Sequence, residues 1–336
     1  MKIAVIIPVH NGGAAFERCL QSIAALDPAP DEVIVVPDGE SDGAWRAARA
    51  YGARILEPNP SPRGPAHARN RGAQAATSDL LFFVDADVLV HANALREIRA
   101  AFRADPDLDA LIGSYDDAPG APEFLSQYRN LLHHYVHQTA EEDASTFWGA
   151  CGAVRRDVFL ACGGFDAQRF PRPSVEDIEL GYRIKREGGK IALRKTLLVT
   201  HLKRWTAASI VRTDFACRAL PWTELILQYK AMENNLNLRT ESRASVVAVG
   251  VGVLAFGAAA FWPAALLGSL LAALALLVLN APLYRFFLQK RGVFFTLGVL
   301  PWHWLYFLYG GVAFGLGLIR YHLGAARPLP EDSIPA

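Results

Sequence analysis

The chain has 336 residues, with 34 Lys and Arg against 33 Asp and Glu, a formal net charge of +1 and 52% hydrophobic residues. That length can bury a sizeable core without disulfide or metal staples, the apolar content excludes a disordered chain, and the balanced charge offers no bulk basic field for nucleic acid. Apolar residues crowd roughly the last hundred positions, so part of the chain is expected in a bilayer.

The opening run from Met1 to Ile7 is stopped by Pro8-Val9-His10-Asn11 well below signal-peptide length and reads as a buried strand. From there to about residue 204, short apolar strands alternate with amphipathic stretches, the pattern of an α/β sheet covered by helices on both faces. Strands are expected at 2–8, 32–36, 54–56, 80–84, 110–114, 147–154 and 197–200, and helices at 14–26, 43–51, 65–76, 93–103, 122–140 and 175–187. Pro65 in a first turn and the Gly188-Gly189 stop agree with helix-boundary chemistry. Cys19, Cys151, Cys162 and Cys217 lie far apart, with no C-x-x-C pair and no His at zinc-finger spacing, which suits a reduced, cytosolic setting.

After Arg204 the character changes. Trp222, Leu225, Ile226 and Tyr229 recur at i, i+3, i+4 and i+7, so residues 206–243 are expected to hold amphipathic helices, lying in a membrane interface or packed on the preceding domain. Between Arg243 and Arg285 stand 41 residues without a charge, and between Arg291 and Arg320 another 28. A span needs about 20 apolar residues. Residues 244–320 are therefore expected to cross a membrane about three times, with a turn at Trp262-Pro263 and a break at Pro301 or Gly310-Gly311 that would reduce the count. Arg239 and Arg243 before the first span, and Arg285, Lys290 and Arg291 after the second, place the preceding domain on the cytoplasmic side as a multi-pass inner-membrane protein. Arg320 and Arg327, flanking a short Pro-rich tail over 321–336, pull the other way.

The strongest local signal is Leu80-Leu81-Phe82-Phe83-Val84-Asp85-Ala86-Asp87, an apolar strand that ends in two carboxylates at i and i+2. Open α/β sheets present ligands at such strand ends, and a hard divalent ion bridging the acids to a diphosphate would relieve their repulsion. Either acid could instead cap the helix starting near Asn93. A second buried strand ends at Asp38-Gly39, where the carboxylate suits a base N–H or a ribose hydroxyl, or simply forms the turn. Glu176, Asp177 and Glu179 open a helix, a placement that dipole stabilisation alone would explain. They lie between a Gly163-Gly164-Phe165-Asp166 turn and His201-Leu202-Lys203-Arg204-Trp205.

Together, Ile6-Ile7-Pro8-Val9-His10-Asn11, the Ala-Arg-Asn-x-Gly run within 65–87, the D-x-D, the Glu-Asp pair and the Arg204-Trp205 pair resemble the family 2 glycosyltransferases of the GT-A fold, from Ile3 to Trp205. The resemblance implies a Rossmann-like, mostly parallel sheet over 1–205. It implies that Asp38, Pro8 and His10 line the nucleotide pocket, that Asp85 bonds ribose or sugar, and that Asp87 holds Mn²⁺ or Mg²⁺ beneath the diphosphate. Asp177 would be the general base, with Glu176 beside it on the acceptor side. His201 stands where such enzymes often carry a metal-ligand histidine, and equally where a histidine would be satisfied at a strand end. It also replaces Gln in the family's Q-x-x-R-W, so its role as metal ligand or as Gln substitute stays open. Arg204 would contact the diphosphate and Trp205 would form an acceptor platform.

These groups suit inverting transfer of a sugar from a nucleotide sugar, with UDP favoured by family, to an acceptor hydroxyl. The apolar segment makes a membrane lipid or lipid-linked glycan the expected acceptor. A polyprenyl phosphate is disfavoured because an ionised acceptor needs no base. A processive polysaccharide synthase is disfavoured because three spans are too few to enclose a channel unless copies of the chain associate. A silent nucleotide-sugar-binding scaffold would not need Asp38, Asp87 and Asp177 together, and no G-x-G-x-x-G follows the first strand, against a dinucleotide enzyme.

Overall fold

In the computed structural model, which describes residues 1–39, 41–230, 232 and 234–324, the apolar run Ile3–Val9 forms β1 and is buried almost end to end. It is flanked by two parallel neighbours, β2 (Glu32–Pro37) and β4 (Leu80–Val84), and a strand walled in on both sides and both faces must be apolar throughout. The chain separates into two units, Met1–Arg204 and a second beginning at Trp205.

The first unit holds an eight-stranded mixed sheet of order β3-β2-β1-β4-β7-β6-β8-β5. Its remaining strands are β3 (Arg54–Ile55), β5 (Val88–Val90), β6 (Leu108–Tyr115), β7 (Cys151–Arg155) and β8 (Lys190–His201). Helices α1 (Gly13–Ala24), α2 (Pro65–Ala75), α3 (Ala94–Ala104), α4 (Phe124–Thr139), α5 (Arg156–Ala161) and α6 (Glu176–Arg186) connect them. The expected helix at 43–51 is a 3₁₀ helix over Ala44–Tyr51, and β5 and α5 are additional short elements.

Two strands differ most in extent from the sequence expectation. β7 starts at Cys151 rather than 147, because the Gly149 amide is spent on the Asp177 carboxylate and cannot join the ladder. β8 is twelve residues long rather than four. Its apolar run is interrupted where the β6 register slips between Ile112 and Ser114, and Arg194 and Thr196 there bond Glu97 of α3 instead.

In the second unit, α7 (Ala207–Arg212) is capped by Thr206 and Ser209 in a reciprocal box and runs through a π-helical turn at Thr213–Ala219 into α8 (Leu220–Tyr229). Leu225 and Ile226 are buried within the protein and Trp222 and Tyr229 are half-buried, so part of the face expected to meet a membrane interface is used for internal packing. Helices α9 (Thr240–Ala258) and α10 (Ala265–Leu279) form a hairpin around the expected Trp262-Pro263 turn. Small residues let them approach closely: Ser269 donates to the Gly252 carbonyl at 3.0 Å, and Asn280 donates to Ser245 Oγ at 2.9 Å. The Asn280–Ser245 bond brings the basic ends of the hairpin together. Phe256, Phe261, Trp262, Leu266, Leu270 and Val278 point outward and exposed.

The last helix, α11 (Ala281–His322), stays helical through Pro301 and Gly310-Gly311 and breaks instead at Gly292, whose φ of 81° only glycine adopts cheaply. Beyond the break it is tied to α8 and the π turn: Tyr309 donates to Asp214 at 2.7 Å and Arg320 to Glu224 at 2.9 Å. Arg327 and the rest of the expected tail after residue 324 lie outside the described residues.

Candidate active site

The sheet brings the charged residues to one edge. β1, β2 and β4 are parallel and deliver His10, Asp38 and Asp85 just past their C-terminal ends, while antiparallel β7, whose Cys151 pairs with Val84, starts from the same edge with Trp148 and Gly149 before it. β5 pairs with β8 so that Val88 faces His201, which places the histidine beside Asp87.

Asp87 Oδ2 lies 3.5 Å from His201 Nε2. The imidazole is buried, stacks on the Tyr115 ring at 4.6 Å with planes 7° apart, and its Nδ1 meets Asn130 Oδ1 at 2.9 Å. Burial opposes ionisation of Asp87, but the hydrogen bond from His201, its charge and that of Lys203 outweigh it and hold the carboxyl below the usual range.

Asp85 faces the other way. Its Oδ1 accepts from Arg69 Nη2 at 2.7 Å, and Arg69 Nη1 donates to Glu176 Oε1 at 3.1 Å. Arg69 and Glu176 are both buried. Burial pushes the carboxyls of Asp85 and Glu176 up against the pull of Arg69, with Asp87 and Asp177 adding to the push. The guanidinium lies flat on Gly149, where a Cβ would stand 2.8 Å from its central carbon. The Gly149 N–H donates to Asp177 Oδ2 at 3.1 Å, and the other Asp177 oxygen accepts from its neighbour Ile178 at 2.9 Å. The base candidate is thus fixed to the strand edge through Gly149 and remains partly open to solvent.

Other expected site residues are placed differently. Glu176, expected on the acceptor side, is turned inward, its second oxygen taking the Ser174 N–H at 2.8 Å. Asp38 is buried and clamps a loop: Asn59 Nδ2 donates to it at 2.7 Å, Gly64 N–H at 2.7 Å and Arg63 N–H at 3.0 Å. His10 stays exposed, with Nδ1 donating to the Asp38 carbonyl at 2.7 Å, and Pro8 is half-buried below it. Arg204 points to the surface and pairs with Glu123 at 2.7 Å, whereas its neighbour Lys203 is the cation whose charge reaches Asp87. Trp205 is buried at the start of the second unit. A 5% exposure leaves little ring face for an acceptor platform.

Arg69 and Asn130 were not among the expected site residues. Arg69 had a signal in the sequence, since it falls at i+3 from Ala66 and i−3 from Gly72, on the buried stripe of α2, where an arginine must have an acid partner. Asn130 had none.

The donor set suits a divalent cation. Without a metal, a proton on Nε2 bridges His201 and Asp87; with Nδ1–H given to Asn130, Nε2 is the nitrogen that can yield that proton, so a divalent cation can take its place between the two groups. A mixed O/N pair fits Mn²⁺ better than Mg²⁺, with phosphate oxygens completing the coordination. Among the described residues no three His, Cys, Asp or Glu side chains converge, so the chain itself would supply only this pair.

Residues 4–163 match the family model described as Glycosyl transferase family 2. Validoxylamine A glucosyltransferase of Streptomyces hygroscopicus subsp. limoneus is 27% identical over 228 residues, 55% of this chain and 48% of that protein. Glucosyl-dolichyl phosphate glucuronosyltransferase of Haloferax volcanii is 25% identical over 177 residues, 49% of this chain and 56% of that protein. The chain thus spans about half the length of these curated relatives. A mannosyltransferase of Pyrobaculum calidifontis, solved in complex with GDP-Man and Mn²⁺, superposes with a TM-score of 0.56 at 18% identity, covering 93% of this chain and 86% of the other, a likeness of fold.

Proposed function

The chain carries a family 2 glycosyltransferase domain, and on that premise we propose that it transfers a sugar, with inversion, from a nucleotide sugar to a hydroxyl of a membrane lipid or lipid-linked glycan. The observation that carries this reading is the pairing of two differently equipped ends of one site: Asp87 with His201 on one side, and Asp177 held by Gly149 on the other.

The acceptor oxygen attacks the anomeric carbon, the bond from that carbon to the phosphate oxygen breaks, and its electron pair leaves with the diphosphate. Asp177 takes the hydroxyl proton. Bound at Asp87 and His201, a divalent metal would supply positive charge to the leaving diphosphate. Lys203 adds to that field from the chain itself. Arg69 holds Asp85 against the strand end and Glu176 beneath Asp177, so both acids keep their places while the donor enters. Asp38 acts by clamping the loop over 59–64, and His10 and Pro8 border the base through that clamp.

The lipid acceptor is supported by the outward apolar face of α9 and α10. Each large exposed side chain there gains roughly 1.5 to 3 kcal/mol on leaving water. At 1.5 Å per residue, the 19 residues of α9 extend about 28 Å, close to a hydrocarbon core, while the 15 of α10 fall short. We therefore read the hairpin as membrane-inserted, its basic ends together on the cytoplasmic side, and α11, which is also long and apolar enough to cross a membrane, as a third membrane element tied to α8 by Arg320 and Glu224.

Purified protein incubated with a panel of nucleotide sugars and a bilayer lipid extract tests the proposal. A mass gain of one sugar on one lipid with inverted anomeric configuration is expected. Transfer only to water-soluble acceptors would overturn the lipid reading.

A further inference from the structure

We propose that Asn130 is a positioning residue for His201, holding the imidazole in the tautomer that presents a Nε2 lone pair to the cation held with Asp87; this rests on the metal reading of the site. Asn130 lies on α4, which meets the sheet through Gln138, donating to the Lys195 carbonyl of β8 at 3.0 Å, and through three further side chains at i, i+4 and i+7. Asn130 meets His201, His134 Nδ1 donates to the Tyr115 carbonyl at 2.7 Å, and His137 Nδ1 donates to the Gly113 carbonyl at 2.9 Å. Two of these bonds end on β6 backbone and lock the helix in register. The third ends on a side chain that itself faces Asp87. The Tyr115 stack sets the plane of the His201 ring, and within that plane Nδ1 meets Asn130 while Nε2 faces Asp87.

Asn130 is buried, and its Nδ2 finds no acceptor among the described residues, so the amide is engaged through its oxygen alone. An accepting oxygen at 2.9 Å keeps a proton on Nδ1, so that Nε2 is the nitrogen free to exchange its proton for a cation, as a metal ligand must. The contact links residues 71 positions apart and belongs to no motif of the sequence.

The test is Mn²⁺ binding to the full-length purified protein, read by the electron paramagnetic signal of the free ion, with the ring ¹⁵N shifts of His201 recorded without metal. Asn130→Leu is expected to weaken Mn²⁺ binding about 10- to 100-fold, as loss of an outer partner of a histidine ligand does. Asn130→Asp can only accept. It is expected to bind Mn²⁺ at least as well as the native protein and to show the Nδ1–H tautomer, and it carries the test should Asn130→Leu fail to fold. Native affinity in Asn130→Leu, or loss in a folded Asn130→Asp, overturns the role of Asn130. Were the native protein to bind no Mn²⁺, or Asp87→Ala to bind it unchanged, the metal reading itself would fall, and this inference with it.

Discussion

Arg69 and Glu176, 107 positions apart in sequence, meet at 3.1 Å in a site where both are buried, and this pair joins the second helix of the sheet to the helix carrying the base candidate. Removing one partner of such a pair leaves the other charge buried and unpaired, at a cost of about 3 to 5 kcal/mol. Arg69→Met should lower the melting temperature sharply, and adding Glu176→Gln should restore part of it. A melting temperature unchanged in Arg69→Met would mean the pair carries no such burden.

Asp177→Asn keeps the size of the side chain and its bond from Gly149 but cannot take a proton. The turnover number should fall by about 10² to 10⁴ with the Michaelis constant for the donor nearly unchanged. Steady-state kinetics over a donor series decide this. Transfer at the native rate would instead favour an acceptor phosphate, which arrives already ionised.

Chelation of divalent ions, or Asp87→Ala, should abolish transfer while the far-ultraviolet dichroism stays native. Mn²⁺ should restore the chelated protein and leave Asp87→Ala inactive. Full activity in excess chelator would remove the metal from the mechanism.

Acid stability should depend on Glu32. One oxygen of this carboxylate accepts from Ser78 Oγ at 2.6 Å, the Thr77 N–H at 2.9 Å and Thr77 Oγ1 at 3.0 Å. Burial opposes ionisation, but these bonds win and hold the carboxyl below its usual range. A depressed folded value means the stabilisation is complete above the unfolded value of about 4.3 and is lost as the pH falls through the lower folded one. Glu32→Gln should cost about 1 to 3 kcal/mol at pH 7 and progressively less below pH ~4. Denaturant titrations at both pH values measure the difference, and equal costs would contradict it.

Leu254→Glu with Leu270→Glu should shift the protein from vesicles to the soluble fraction in a flotation assay, because both side chains point outward from the hairpin and charges there oppose insertion. Sugar-nucleotide hydrolysis should persist, since neither residue belongs to the first unit. Unchanged flotation would indicate that another surface meets the membrane.

Much of the first unit was legible in sequence because its strands are buried on both faces. Continuous runs such as Leu80–Val84 leave no doubt about strand identity, and parallel strands must release their acids at one edge. Short elements escaped: β5 has three residues, and α5 follows β7 without a turn residue between them. In the second unit, the spacing of Trp222, Leu225, Ile226 and Tyr229 correctly marked an amphipathic helix, but periodicity cannot tell a lipid-facing stripe from one covered by protein.

By itself the sequence determined the α/β alternation and the acids that end the strands, because each depends on residue type and spacing within a few turns of chain. Only the tertiary structure decided what those acids do to one another. It gave Asp85 and Glu176 to a buried arginine, turned Asp38 into a loop clamp, placed His201 opposite Asp87 and set Asn130 behind it. Each of these contacts joins residues from 16 to 114 positions apart. A hydrogen bond reaches about 3 Å, and a chain reveals which atoms come that close only once the sheet has brought its strand ends to a common edge.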